Sequence, residues 1–292
     1  MSGGFDEYGA LEAVLVKHPR DAFVSSERIS AQWKSLNFSA PPDLAAAIDE
    51  YDRFLDIVRG TGTQTIFLPS DEETTLDSIY TRDAVVAGPD GFVRCRMGKS
   101  QRAVEPAVQE DELRRAGYAV AAAIRPPGCL EGGDLIWLDA GTAAVGRGRR
   151  TNAEGIAQLE AHFAGRVDVI VVPLPDYPDL HDVLHLMSLV SPVDKDLAVV
   201  HSGLLPESFQ RELLRRGYAF VDVPDAEFAT MGTNVLALAP RECVMVDGNP
   251  RTRGLLERAG ARVHVYAGVE ISLKGGGGPT CLTRPLRRRV GV

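Results

Sequence analysis

The sequence predicts an α/β protein built from five repeated units, and two patterns support this fold class. A segment with helical periodicity, a glycine and a short apolar strand follow one another five times, at intervals of roughly 50 residues. Three of these helices also follow a pair of apolar segments joined by a turn sequence, which is typical of a β-hairpin. Because five such units can close into a ring, we place no boundary and predict a single domain over residues 1–292.

The first unit contains a predicted strand over residues 11–16 and an amphipathic helix over residues 43–58. This helix is expected to end at Gly60, before a strand over residues 65–68. Residues 21–42 are polar and lack clear periodicity, so we expect a long surface loop that could act as a lid.

The other four units repeat the pattern. Helices are predicted over residues 109–116, 152–164, 206–216 and 251–259, and strands over residues 118–122, 167–172, 218–221 and 261–265. Hairpins are predicted for residues 84–95, 135–145 and 235–246. Gly60, Gly117, Gly165, Gly217 and Gly260 stand where a helix needs a left-handed residue at its C-terminal end.

Composition excludes several classes of function. The hydrophobic fraction of 45% and the charged fraction of 25% are ordinary for a globular protein. The formal net charge of −8 argues against a nucleic acid or an anionic membrane as the main partner. The four cysteines lack metal or disulfide spacing, and the N-terminus lacks the features of a signal peptide. We therefore expect a cytoplasmic protein.

Four consecutive glycines at residues 275–278 predict a loop that leads to Cys281. A thiolate is a strong nucleophile at neutral pH, but the thiol needs an activating partner. A flexible linker followed by a small apolar residue is the alternative interpretation. Since no Gly-Lys-Ser/Thr follows the glycines, a phosphate-binding P-loop is not indicated.

Three more polar residues lie close to the starts of predicted strands. Asp83 ends a Tyr-Thr-Arg-Asp sequence, Glu131 stands in Leu-Glu-Gly-Gly-Asp, and His185 precedes Leu-Met. Exposed turn carboxylates and a structural histidine are the alternatives to a role as substrate ligands and as general acid and base. His181 and His185 are four residues apart and could also bind a metal, although the Glu of the zinc motif is missing.

Two basic clusters follow predicted strands. One contains Arg94, Arg96 and Arg102, and the other contains Arg149 and Arg150. Solvated surface is the ordinary interpretation, and a pair of arginines that binds a substrate carboxylate is the alternative.

Taken together, the motifs YTRD, LEGGD, GRRTN, HLMS, MGTNVLALAP and GGGGPTC resemble the guanidino-group-modifying (pentein) superfamily over nearly the whole chain. This superfamily includes dimethylarginine dimethylaminohydrolases, arginine deiminases and amidinotransferases. The resemblance implies a five-fold pseudosymmetric α/β propeller of ββαβ-type units. It also implies that Cys281 is the nucleophile, His185 the general acid and base, and Glu131 the carboxylate that orients the guanidinium and supports the histidine.

The resemblance further implies substrate-binding residues. Asp83 matches the carboxylate that holds the guanidinium, Arg96 and Arg150 match the arginines for the α-carboxylate, and Asn234 lies in a deiminase-like stretch. Arginine deiminases resemble one another in a His-Leu-Asp sequence, where this chain has Met187 instead of Asp. A thioether is soft and apolar, so Met187 is expected to tolerate N-methyl groups on the substrate.

The expected activity is the hydrolysis of N-omega-methylated arginine to citrulline and an alkylamine through a covalent Cys281 intermediate. Arginine deiminase, amidinotransferase and a non-catalytic binding protein are the alternatives. The expected partner is a small guanidino substrate, without a cofactor, metal, nucleic acid or membrane. The oligomeric state stays open, with a homodimer among the alternatives.

Overall fold

The computed structural model describes residues 5–175 and 184–289. Its strands are β1 (Ala10–Val16), β2 (Gln64–Phe67), β3 (Val85–Gly88), β4 (Gly91–Arg94), β5 (Val120–Ala123), β6 (Leu135–Asp139), β7 (Thr142–Arg147), β8 (Asp168–Pro173), β9 (Val190–Asp194), β10 (Leu197–Val200), β11 (Ala219–Asp222), β12 (Leu236–Ala239), β13 (Glu242–Val246), β14 (Arg262–Tyr266) and β15 (Arg284–Arg289). Its α-helices are α1 (Pro19–Ala22), α2 (Ser26–Gln32), α3 (Leu44–Gly60), α4 (Glu105–Arg115), α5 (Ala153–Phe163), α6 (Glu207–Arg215), α7 (Asp225–Phe228) and α8 (Pro250–Arg258).

The described strands form five three-stranded sheets of one design. In the second unit, β3 pairs antiparallel with β4, α4 follows, and β5 returns parallel to β4. The units β6–β8, β9–β11 and β12–β14 repeat this order. A parallel return needs a crossover, and the helix supplies it. The predicted α/β class and the order strand, strand, helix, strand are confirmed.

The first unit takes one strand from the other end of the chain. β15 pairs antiparallel with β1, and β2 pairs parallel with β1 on its other side. The sequence of β15 is Arg-Pro-Leu-Arg-Arg-Arg, which carries no apolar alternation. This strand was not predicted, because its pairing depends on a partner about 270 residues away rather than on its own sequence.

In most units, the residues at the helix ends adopt the conformations expected of helix caps. The Asp43 carboxylate accepts a hydrogen bond from Ala46 N (2.8 Å) and caps α3, and Asn152 caps α5 in the same way. The glycines predicted to be left-handed after α4, α5, α6 and α8 have φ between +72° and +89°: Gly117, Gly165, Gly217 and Gly260. The prediction for Gly60 was wrong, since α3 runs through it and Gly62 has the positive φ of +83°.

The prediction of an irregular loop over residues 21–42 was also wrong. The segment contains α2, which Ser25 caps, and it buries Phe23, Ile29, Leu36 and Phe38 in the same core as α3. Apolar residues too widely spaced to show periodicity are buried here by tertiary contacts. Within the described residues, no helix combines the length and apolar character needed to cross a membrane.

Candidate active site

Five polar residues stand just before the first strands of the five units, and they belong to one site. They are Asp83 before β3, Glu131 before β6, His185 before β9, Asn234 before β12 and Cys281 before β15. Asp83, His185, Asn234 and Cys281 line one cavity of about 300 Å³, which we call the thiol pocket. Glu131 lies behind His185 and is fully buried.

Glu131 is held by four donors. One oxygen accepts hydrogen bonds from Gly98 N (2.8 Å) and Lys99 N (3.2 Å), and the other lies 2.8 Å from His185 Nε2. Arg150 Nη1 donates to both oxygens. Burial raises the pKa of Glu131, but the His185 hydrogen bond and the charges of His185 and Arg150 outweigh it and lower this pKa below its usual range. Glu131 is therefore a permanently ionised partner for the imidazole.

His185 lies between two carboxylates. Its Nε2 is bonded to Glu131, and its Nδ1 lies 3.9 Å from Asp83 Oδ1. Burial lowers the pKa of His185, but the charges of Asp83 and Asp134, together with the bond to Glu131, raise it to about 9. The imidazole is thus protonated at neutral pH, in the form that can act as a general acid.

Asp83 is buried and fixed on two sides. Arg102 Nη1 donates to its Oδ2 at 2.5 Å, and Gly133 N donates to its Oδ1 at 2.9 Å. Burial raises the pKa of Asp83, but the positive charges of His185 and Arg102 lower it overall. Its carboxylate is therefore anionic and available to a cationic ligand in the pocket.

The second glycine of Leu-Glu-Gly-Gly-Asp allows the charged groups to approach one another. A Cβ on Gly133 would lie 2.7 Å from His185 Nδ1 and 2.8 Å from Asp83 Oδ1. Any side chain here would push the imidazole away from the carboxylates. This close approach explains why the motif needs glycine.

Cys281 is positioned by Asn234 and the glycine-rich loop. Asn234 Nδ2 lies 3.3 Å from Cys281 Sγ, and Asn234 Oδ1 accepts from Thr280 N (3.0 Å) and Thr280 Oγ1 (2.8 Å). A Cβ on Gly278 would lie 2.6 Å from the Asn234 amide, so only glycine fits. Burial, followed by the charge of Asp83, raises the pKa of the Cys281 thiol.

The structure separates the two arginines predicted to bind the substrate carboxylate. Arg150 lines the thiol pocket and contacts Glu131. Arg96 Nη1 instead bonds Gly128 O (3.1 Å) and Cys129 Sγ (2.9 Å), and Arg96 is not among the described residues that line the pocket. Arg102, from the same basic cluster, is in the pocket instead.

Met187 also lies outside the set of described residues that line the pocket. It belongs to a 3-10 turn over Leu186–Ser188, is buried, and its sulfur accepts a hydrogen bond from Arg82 Nε at 3.1 Å. The apolar face of the pocket, which we call the apolar wall, consists of other residues: Leu184, Phe228, Ala229 and Met231.

Sequence reasoning did not select Asp77 or Lys99 and named Arg102 only as a member of a basic cluster, yet all three line the pocket. Lys99 Nζ is paired with Asp77 at 2.7 Å, and Arg102 binds Glu105 through two nitrogens in addition to Asp83. The available signal was weak, because only the Arg102–Glu105 spacing of three residues favours a contact along the chain.

Asp83, Glu131 and His185 could also hold a metal ion, since their ligand atoms lie within 4.8 Å of one another. A metal requires a neutral imidazole, whereas the pKa of His185 is raised to about 9. Both oxygens of Glu131 are also engaged by hydrogen-bond donors. These observations favour a proton on His185 over a metal. His181, the other histidine of the predicted pair, lies outside the described residues.

The thiol, the imidazole and the carboxylates stand just before the first strands of their units, in the positions expected from the resemblance to the guanidino-group-modifying superfamily. The chain belongs to the dimethylarginine dimethylaminohydrolase family: the family model described as "N,N dimethylarginine dimethylhydrolase, eukaryotic" matches residues 23–288. Membership makes the protein an amidine C–N hydrolase of the dimethylargininase-like class.

The chain is also similar to individual known proteins. The chain is 31% identical over 250 residues to the N(G),N(G)-dimethylarginine dimethylaminohydrolase of Streptomyces coelicolor, covering 84% of this chain and 88% of that protein. It is 30% identical over 196 residues to the arginine deiminase of Listeria welshimeri, covering 56% of this chain and 48% of that protein. The fold matches the dimethylarginine dimethylaminohydrolase of Pseudomonas aeruginosa, solved as a mutant complexed with citrulline (TM-score 0.75, 22% identity, 94% of this chain and 98% of that chain).

Proposed function

We propose that the protein hydrolyses N-omega-methylated arginine to citrulline and an alkylamine through a covalent intermediate on Cys281. The observation that carries this proposal is the single 300 Å³ pocket in which Asp83, His185 and Cys281 meet. An ionised carboxylate, a protonated imidazole and a thiol together provide for binding a guanidinium, protonating an amine and attacking carbon.

Binding of the substrate is assigned to its two charged ends. The guanidinium lies against Asp83, whose orientation Arg102 and Gly133 fix. The α-carboxylate faces the side of the pocket lined by Lys99 and Arg150, where positive side chains gather. The role of Arg96 stays a prediction from the resemblance, because its guanidinium bonds Gly128 and Cys129.

A cationic substrate also activates the thiol. Burial and the Asp83 charge raise the pKa of Cys281, so its proton stays on sulfur while the pocket lacks a cation. A guanidinium placed between Asp83 and Cys281 lowers this pKa, and the proton is released to solvent. The thiolate then attacks the guanidinium carbon. His185 protonates the departing alkylamine as the C–N bond breaks, which leaves an S-linked thiouronium on Cys281.

The second half of the reaction uses the same histidine as a base. His185 has lost its proton to the amine and now takes one from water, while Glu131 stabilises the imidazolium that forms again. The hydroxide adds to the thiouronium carbon, the C–S bond then breaks and returns the thiolate, and the new hydroxyl gives its proton to solvent as the urea carbonyl forms. The amine leaves uncharged and takes a proton from solvent, so the products are citrulline and an alkylammonium ion, and the reaction consumes no cofactor.

The preference for methylated substrate is assigned to the apolar wall. N-methyl groups remove hydrogen-bond donors and add apolar surface, so they match Phe228 and Met231 better than they match a carboxylate. Met231 has φ of +68°, a strained conformation for a non-glycine residue, and such strain often accompanies a functional site. Met187 contacts Arg82 and is assigned an indirect role at most.

We also infer that the five units surround one axis as a pseudosymmetric α/β propeller and form one domain. The pairing of β15 with β1 joins the two ends of the chain in one sheet, as closure of such a propeller requires. The equivalent placement of the five polar residues before the five first strands supports the same inference.

The test is citrulline formation from asymmetric dimethylarginine, monomethylarginine and arginine at equal concentrations. We expect turnover of the methylated substrates and none by Cys281→Ser. Mass spectrometry of rapidly quenched enzyme should detect the thiouronium on the peptide that contains Cys281. Arginine deiminase is the second candidate, because about half the chain matches deiminases at up to 30% identity. Turnover of arginine alone would establish that activity instead, and turnover only with an added acceptor amine would indicate an amidinotransferase.

A further inference from the structure

A second cavity, of about 470 Å³, shares no lining residue with the thiol pocket. Three buried arginines line it: Arg82, Arg284 and Arg288. We call it the arginine cavity. Arg284 and Arg288 are four residues apart on β15, and both are buried. The catalytic proposal makes no use of this cavity.

The positive charges of the arginine cavity exceed the negative ones. Arg82 is paired with Glu7 at 2.6 Å. Asp6, whose charge acts on Arg288, is the other buried carboxylate among the described lining residues, so three buried arginines stand against two buried carboxylates. The other charged residues on the lining have partners of their own outside it: Arg287 binds Glu12, and Asp90 binds Arg166. The buried part of the lining therefore carries one uncompensated positive charge, which is costly in a low-dielectric interior.

The arginine cavity also has more unpaired hydrogen-bond donors than unpaired acceptors. Five buried nitrogen atoms that belong to lining residues lack an acceptor among the described residues: Arg82 Nη1, Arg284 Nε, Arg288 Nε, Arg288 Nη2 and Trp137 Nε1. Among the side chains that the structure describes on the lining, Asp6 Oδ2 is the one buried acceptor without a donor. A water molecule accepts hydrogen bonds but also brings two donors that need acceptors of their own. An acceptor-only group corrects the imbalance better than water does.

Burial lowers the pKa values of the two buried arginines of β15. It lowers the pKa of Arg284 to about 9 and that of Arg288 to about 10, and nearby Glu7 only partly offsets the effect. A bound anion would return both groups to their ordinary range.

The rest of the lining is aromatic and apolar. Phe5 stacks on Trp137 with ring centroids 4.6 Å apart, and Phe92 and Tyr118 lie edge to face at 5.8 Å. A volume of 470 Å³ is within the range of small-molecule sites and is far larger than a halide ion needs. The combination of an aromatic lining with an excess of arginine donors suits a carboxylate attached to a flat apolar body.

We propose that the arginine cavity is a second binding site, separate from the thiol pocket, for a small organic carboxylate. The carboxylate accepts from Arg284 and Arg288, and its apolar body packs beside Trp137 and Phe5. The proposal is independent of the reaction catalysed in the thiol pocket.

The test uses benzoate as the carboxylate probe and Trp137 as the reporter. The sequence has two tryptophans, so Trp33→Phe leaves Trp137 as the sole tryptophan. In this background we expect benzoate to change the fluorescence saturably. Benzamide has the same ring without the charge and should bind about tenfold more weakly or worse, because hydrogen bonds to charged groups are the stronger ones. Equal binding of the two compounds, or no saturable change with benzoate, would overturn the proposal.

Two substitutions with opposite expected effects distinguish a specific change in benzoate binding from unfolding of the variant. Arg288→Gln removes one donor charge and should weaken benzoate binding about tenfold. Glu7→Gln removes the carboxylate that competes for Arg82 and should tighten binding, which an unfolded protein cannot do. Arg289→Gln is the matched control, since Arg289 is the next residue on β15, binds Glu12 and does not line the cavity. Equal weakening by Arg288→Gln and Arg289→Gln would show only a general effect of net charge.

Discussion

Asp83 and Arg82 are neighbours in the chain, yet their side chains belong to two buried charge clusters that differ in hydrogen-bond balance. At the thiol pocket, Arg102 donates to Asp83, to both oxygens of Glu105 and to Tyr80 O. At the arginine cavity, buried nitrogens of Arg82, Arg284 and Arg288 lack acceptors among the described residues. The charged side chains of both clusters are buried, but only Arg102 has an acceptor for every side-chain nitrogen among the described residues.

The difference shows how one fold uses buried charge in two ways. A complete network holds the carboxylates and the imidazole in fixed orientations, which is the preorganisation that catalysis needs. An incomplete network leaves free energy to be gained by binding an anion. The two clusters can therefore be distinguished by what happens when one charged member is removed.

The largest expected effect is on catalysis. His185→Gln keeps a side chain that can bond Glu131 but cannot transfer a proton, so kcat should fall on the order of 10³-fold. Arg288→Gln, in the arginine cavity, should leave kcat within about twofold, because Arg288 contacts no proposed catalytic group. Steady-state assays with dimethylarginine, together with circular dichroism to confirm folding, measure both. A loss of less than tenfold in His185→Gln would remove His185 from the mechanism.

The next effect is on stability, and it compares one arginine from each cluster. Arg102→Met leaves Asp83 and Glu105 buried without their cation, which should lower the free energy of unfolding by about 3–5 kcal/mol. Arg284→Met removes a poorly compensated charge and one hydrogen bond to Val85 O. Its unfolding free energy should change by less than about 1 kcal/mol, since an apolar replacement for an unpaired buried charge is often neutral.

Urea unfolding with linear extrapolation measures the two variants side by side, and equal slopes are needed for the comparison. Similar destabilisation by both substitutions would mean that the clusters do not differ in balance. In that case the excess of donors at the arginine cavity would already be satisfied in the ligand-free protein.

Local signals predicted much of this architecture. Four of the five glycines end their helices in the left-handed conformation, as the sequence indicated, and Asn152, at the start of a predicted helix, caps α5. Capping and chain reversal depend on a few adjacent residues, so they can be inferred from adjacent residues. β15 depends instead on β1, at the opposite end of the chain, and its arginines gave no periodic signal.

In the candidate site, too, some features could be predicted from the sequence and others could not. The sequence analysis selected Asp83, Glu131, His185 and Cys281 because each lies close to the start of a strand. Equivalent positions in repeated units meet at one end of the strands, so these residues belong to one site. Side-chain direction could not be inferred in this way. A 3-10 turn directs Met187 towards Arg82, and Arg96 was chosen where the structure places Arg102 in the pocket.

The pH dependence of kcat tests whether the carboxylates around His185 raise its pKa. Its pKa of about 9 depends on Asp83, Asp134 and Glu131, so Glu131→Gln should lower this pKa. The proposed acid must be protonated, and the fall of kcat at high pH should therefore begin at lower pH in the variant than in the wild type. An unshifted profile would mean that another group controls the basic limb.

The same group links pH to stability, and the direction is fixed by its raised pKa. His185 titrates near 6.5 when unfolded and near 9 when folded. Its stabilising contribution is therefore complete below pH 6.5 and is lost as the pH rises through 9. The free energy of unfolding of the wild type should fall relative to that of His185→Gln across this window, as measured by urea unfolding at each pH. A constant difference between the two proteins would contradict the raised pKa.

The smallest expected effect compares the two methionines near the site. Met231→Asn keeps the left-handed backbone, which asparagine tolerates, and replaces an apolar side chain on the pocket wall by a polar one. The ratio of kcat/KM for dimethylarginine to that for arginine should fall about tenfold, the effect of losing contact with one or two methyl groups. Met187→Leu conserves volume in the core and should leave this ratio unchanged even if stability falls slightly. If Met187→Leu shifts the ratio and Met231→Asn does not, the methyl groups are recognised from the side of Arg82, and the apolar wall has no part in specificity.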